Sequence, residues 1–175
     1  MFTKKMSART LTVGGAIALA LGAVSGTQAA TETADLNVSA TVTATCVVST
    51  TPVAFGAYDP LGTHASAPNH ANGSVVVQCS DNTAATVTLD QGDTPDAAST
   101  DAAPLRQMAS GTDRLPYQLF SEGTWTTVWG NTEATGVDHT SDGSQVSLTV
   151  YGEIDAGLNV AAGDYADIVE ATVTF

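Results

Sequence analysis

The chain has 175 residues and a formal charge of −13, from 18 acidic and 5 basic side chains. Lys4, Lys5 and Arg9 lie at the extreme N-terminus, so the rest of the chain keeps only Arg106 and Arg114 against all eighteen acids, a formal −16. Such a surface repels nucleic acid and anionic lipid and excludes both as partners; the acids are scattered, as suits a solvated exported surface and not an acidic tail.

Residues 1–29 read as a secretory signal. Lys4, Lys5 and Arg9 form a positive n-region and Leu11 to Val24 an apolar stretch. Thr27-Gln28-Ala29 then presents small residues to a signal peptidase, with cleavage after Ala29. The stretch is too short and Gly-rich for a membrane span, which needs ~20 apolar residues, and no later segment approaches that length. Export without membrane insertion is expected, leaving about 146 mature residues, enough for one domain with a real core.

Next come residues 30–45. Leu36, Val38, Ala40 and Val42 alternate with Asn37, Ser39, Thr41 and Thr43, the period of a half-buried strand. Cys46 and Cys79 stand as a lone pair in an exported chain, which predicts one disulfide. Closing a loop of roughly 34 residues stabilises by about 3.8 kcal/mol in the chain-entropy model.

Beyond residue 30 helical periodicity is absent. Short β-prone runs separated by turn residues predict an all-β sandwich over residues 46–175. The runs are Ser74–Cys79, Ala85–Leu89, Leu115–Leu119 and Val146–Tyr151, with Pro116 marking the third as an edge or bulged strand. Tyr58-Asp59-Pro60-Leu61-Gly62, Asn72-Gly73 and Asp142-Gly143 read as turns, and Gln91 to Ala103 as a long exposed loop.

A final strand begins near Tyr165. Val169, Ala171, Val173 and Phe175 are apolar, while Glu170, Thr172 and Thr174 are polar. Phe175 belongs to the apolar face, so the sequence stops inside a strand with nothing after it to pair beside it. A lendable segment at 36–42 and an unpaired edge at 169–175 together point to subunits that polymerise by exchanging strands.

Chemistry-bearing motifs are scarce. His64 and His70 lie six apart with no zinc-type cysteine pattern, and His139 stands alone, so solvated histidines and no metal are expected. Asp90, Asp93 and Asp96 lack the glycine and terminal glutamate of a calcium loop. No Gly-x-Ser-x-Gly elbow or His-Glu-x-x-His is present, so neither an enzyme nor a cofactor is expected. Trp125 and Trp129 would suit a sugar platform, against core packing as the ordinary role. Arg106 and Arg114 are read as surface pairs of ~0–1 kcal/mol.

An ordered set of short motifs adds to this reading. Phe55-Gly56-Ala57-Tyr58-Asp59-Pro60 resembles the "FG-x-YDP" element of spore coat protein U domains, the subunits of archaic, Csu-type chaperone–usher pili. Val77-Gln78-Cys79, Val87-Thr88-Leu89-Asp90-Gln91-Gly92 ("vtLd-x-G") and Arg106-Gln107-Met108 ("R-x-M") follow in order, then Leu115-Pro116-Tyr117-Gln118-Leu119 ("l-x-Y-x-L"). Tyr151-Gly152-Glu153-Ile154 and Gly163-Asp164-Tyr165-Ala166-Asp167 resemble "yG-x-I" and "G-x-Y-x-D"; Asp155 departs from the family, where a proline follows the isoleucine.

The resemblance implies an incomplete immunoglobulin-like sandwich of pilin type, completed by donor-strand exchange. Its partners would be identical or related pilus subunits, a periplasmic chaperone and an outer-membrane usher. Leu36, Val38, Ala40 and Val42 would be the donor strand; Val169, Ala171, Val173 and Phe175 would line the groove and meet the chaperone. The implied role is a surface fibre supporting adhesion or biofilm formation, reached through the periplasm. The alternatives are a self-complemented spore-coat or matrix protein, and a sugar-binding sandwich.

Overall fold

The computed structural model describes residues 29–175, so the signal expected over 1–29 falls outside the described residues except for Ala29. Two units are distinguished, Met1–Ala40 and Thr41–Phe175. In the first, residues 29–40 carry no regular secondary structure. The second holds eight strands: β1 Cys46–Thr51, β2 Asn69–Cys79, β3 Ala84–Leu89, β4 Arg106–Ser110, β5 Asp113–Phe120, β6 Val137–Thr140, β7 Val146–Ile154 and β8 Ala171–Thr174.

The strands form two antiparallel sheets, in the orders β1-β2-β7-β5-β4 and β6-β3-β8. Alternation along each strand sends one apolar set between the sheets. Val75 and Val77 of β2, Leu115 and Leu119 of β5, and Val150 and Ile154 of β7 meet Val87 and Leu89 of β3 around Trp129. The fold is all-β and immunoglobulin-like. Cys46 and Cys79 face each other in the β1–β2 register and are joined by a disulfide.

Several expectations change. Asn72-Gly73 is not a turn but lies inside β2, paired with Tyr151 and Val150 of β7. Gly73 serves close approach instead: a Cβ there would meet the Thr51 carbonyl at 2.6 Å and Val53 Cγ2 at 2.7 Å. Gly152 opposite Ala71 does the same, its virtual Cβ falling 2.8 Å from Phe55 Cζ. Two glycines thus let residues 51–55 cross close over the sheet. Pro116 is tolerated because β7 pairs with β5 only over Gln118–Phe120, leaving Pro116 flanked by β4 alone. The last strand is also shorter than its alternation, with a ladder confined to 171–174.

A candidate strand-acceptor groove

Strands β1 and β8 are each the last strand of their sheet. Between them opens a cavity of about 500 Å³, lined by Thr50 and Val53 on one side, Val169 and Ala171 on the other, and Val75 and Leu119 beneath. A second cavity of about 660 Å³ continues it, sharing Val53, Phe55, Met108 and Tyr165. Val48, on the disulfide's face of β1, is 46% exposed.

The β3–β8 ladder fixes which backbone groups face the opening. Asp90 N donates to the Glu170 carbonyl at 3.0 Å, whereas Leu89 N turns away to the Gly130 carbonyl at 3.1 Å. Antiparallel partners alternate between bonded and non-bonded pairs. With Leu89 opposite Ala171, the bonded pairs are Thr88–Thr172 and Thr86–Thr174. The N–H and C=O of Ala171 and Val173 therefore point to the free edge.

Three motif side chains hold that edge in place. Asp90 Oδ1 accepts Glu170 N and Gly92 N, both at 2.9 Å. Asp167 accepts the Tyr117 hydroxyl at 2.6 Å and Asp93 N at 2.9 Å. Burial first, and the bond to Asp167 second, push the Tyr117 hydroxyl well above its ordinary range, so it remains a donor.

Arg106 is the largest departure from expectation. It is not a surface pair: only 1% of it is exposed, and the alternation Arg106-x-Met108 carries it inward. Its guanidinium donates to the carbonyls of Asp90 (2.8 Å), Leu89 (3.0 Å) and Trp129 (2.8 Å). Desolvation lowers its pKa to about 10, so it is charged at neutral pH. Arg106→Met would leave three buried carbonyls without donors at about 1–3 kcal/mol each, partly offset by removing a desolvated charge. A loss of about 2–4 kcal/mol is expected in urea unfolding. Arg106→Lys should recover little of it, since an ammonium lacks the planar fork.

The residues expected to act together are placed as follows. Val169 and Ala171 line the groove, and Val173 packs on the core cluster. Phe175 departs from this set. It is 58% exposed and borders Thr86 and Thr174 on the outer face, because it lies one residue beyond the ladder. In the expected donor segment Leu36 and Val38 are each 87% exposed and Val42 is 90% exposed.

The other candidates serve the fold. Trp129 and Trp125 share no platform: Trp129 is fully buried, its Nε1 donating to the Val87 carbonyl at 2.8 Å. Trp125 stacks on His70 with ring centroids 4.1 Å apart. His70 lies in β2, bonded to Glu153 at 2.6 Å. His64 stacks on Tyr58, whose hydroxyl donates to the Asp155 carbonyl at 2.7 Å. That contact uses the main chain of residue 155, so the family's missing proline does not disturb it. No helix among the described residues is long and apolar enough to cross a membrane.

The family model described as "Spore Coat Protein U domain" matches residues 32–172. A curated relative, "Protein U" of Myxococcus xanthus, is 40% identical over 166 residues, covering 90% of this chain and 93% of that protein. Among solved structures, the CsuC–CsuE chaperone–tip adhesion subunit pre-assembly complex from archaic chaperone-usher Csu pili of Acinetobacter baumannii is similar with a TM-score of 0.54 and 23% identity. That match covers 77% of this chain, which spans only 40% of the other.

Proposed function

Because the chain belongs to the Spore Coat Protein U domain family, we propose that it is a structural subunit of a surface fibre assembled through donor-strand complementation. Export precedes assembly, a periplasmic chaperone covers the groove first, and an outer-membrane usher passes subunits outward to support adhesion or biofilm formation. One observation carries the reading: two unpaired sheet edges flank an apolar groove, while the same chain exposes an alternating apolar segment at 36–42. Each feature alone is an aggregation liability, and each is what the other lacks.

Burying Leu36, Val38, Ala40 and Val42 in a neighbour's groove is worth on the order of 5–8 kcal/mol before main-chain hydrogen bonds. The contact is head-to-tail and does not close, so it generates a filament. The domain reading follows, with residues 30–45 as donor segment and 46–175 as acceptor. A chain lacking residues 30–43 should stay compact when bound to its chaperone yet give no detergent-resistant ladder; a normal ladder would refute the donor assignment.

The 40% identity to Protein U over nearly its whole length, together with the family's description, favours a second reading. In it the chain is a coat or matrix protein whose own segment fills its own groove. That form would remain monomeric in detergent and lose stability, not polymer, on deletion of residues 30–43.

A further inference from the structure

Arg114 is an exposed cation that no carboxylate among the described residues engages. Its Nη1 donates to the Gly111 and Asp113 carbonyls at 2.9 Å each, and the one close basic–acidic side-chain contact among the described residues is His70–Glu153. Arg106 is buried, so Arg114 is the sole arginine or lysine at the surface of residues 29–175.

The strand registers place it at one end of the sandwich. The β2–β7 ladder stops with Asn69 opposite Ile154, and β5 joins β7 only from Gln118. Asp113 and Arg114 therefore project past Ile154, at the end remote from the Cys46–Cys79 disulfide. Nearby charges at that end are acidic, Asp113 and Asp155 among them.

At the disulfide end the β2–β3 and β6–β7 turns lie side by side. Asn82 N donates to the Ser141 carbonyl at 2.8 Å and Ser141 N to the Thr83 carbonyl at 2.9 Å. A Cβ on Gly143 would sit 3.9 Å from that of Asp81. Asp81 and Asp142 are both exposed there, and each accepts from a residue one or two positions on: Asn82 Nδ2 at 3.1 Å and Ser144 N at 2.9 Å.

Strand exchange would bring these two ends together, and the inference rests on that reading. A donor added antiparallel to β8, like every other pair in both sheets, would leave the acceptor's groove at the Arg114 end. Val42 to Cys46 reaches at most ~14 Å extended, so the next subunit's disulfide end must sit against that exit. We propose that Arg114 of one subunit pairs with Asp81 and Asp142 of the next copy of this chain. Without it the junction sets acid against acid. Arg114 thereby relieves the repulsion at the junction that strand exchange creates and makes assembly salt-dependent.

The test uses the full chain in assembled form. Arg114→Cys combined with Asp142→Cys, treated with a short bismaleimide, should turn the detergent-resistant ladder into one that survives boiling, several-fold above Arg114→Cys alone. In a second arm, Arg114→Glu should shorten polymers several-fold at low salt and Arg114→Lys should restore their length. A full ladder with no covalent linkage, or unchanged length in Arg114→Glu, would overturn the pairing and leave strand exchange standing. Absence of any ladder from the unsubstituted chain would overturn strand exchange and the pairing with it.

Discussion

Val38→Asp should abolish polymer formation, whereas Asn37→Asp, one residue away, should polymerise almost as the unsubstituted chain does. In the single chain Val38 is 87% exposed, so a carboxylate there meets water and costs the subunit little. In a neighbour's groove the same side chain would face Val75, Leu119 and Ala171. No cation waits there: Arg106 is spent on three carbonyls. An unpaired carboxylate in such a place costs several kcal/mol, comparable to the whole ~5–8 kcal/mol offered by the four apolar side chains. Asn37 would point to the opposite face of a donor strand and stay in solvent. The contrast tests register as well as location, because a one-residue slip would exchange the two outcomes. Detergent-resistant ladders from both variants would remove residues 36–42 from the donor role.

Val173→Pro should block assembly with little damage to the subunit's own fold. The N–H of Val173 points away from β3, since the bonded pairs of that ladder are Thr172 and Thr174 with Thr88 and Thr86. A proline at such an edge position removes no internal hydrogen bond and is tolerated there. It does remove a donor that only an incoming strand would use, and its ring obstructs that strand's approach. Thr172→Pro is the complement: it cuts the ladder to β3 and should destabilise the subunit itself. Circular dichroism and urea unfolding would show Val173→Pro close to the unsubstituted chain and Thr172→Pro weakened, while both lack ladders. A normal ladder from Val173→Pro would mean that the free edge of β8 is not where partners add.

The sandwich was legible where side chains alternate without interruption. Val75-x-Val77-x-Cys79, Ala85-x-Val87-x-Leu89 and Val146-x-Leu148-x-Val150 all became strands facing one core. Three strands left no such pattern. In β1 both Val47 and Val48 are largely exposed, so no apolar face distinguishes it. β4 turns an arginine inward where alternation calls for an apolar residue, and β6, Val-Asp-His-Thr, offers one aliphatic side chain. Asn72-Gly73 carries a turn signal inside a strand because turn chemistry and close backbone approach ask for the same residue type. Alternation put Val169 and Ala171 on one strand face and the resemblance implied that this face lines a groove, whereas Phe175 lies past the last paired residue and faces outward. The internal anchor formed by Arg106, Asp90 and Asp167 had its residues visible as motifs. Its geometry did not, since hydrogen bonds to main-chain carbonyls leave no mark on the acceptor's identity.

In the proposed fibre, residues 36–42 of one subunit complete the sandwich of the next. A cryo-electron-microscopy map of the assembled native material tests it most directly. The expected map shows an extended strand in the groove between β1 and β8, running antiparallel to β8, with Leu36, Val38, Ala40 and Val42 directed inward and its continuation traceable into Cys46 of a neighbouring subunit. A strand in that groove that traces into Cys46 of the same subunit, or a groove left empty in the assembled material, would contradict it.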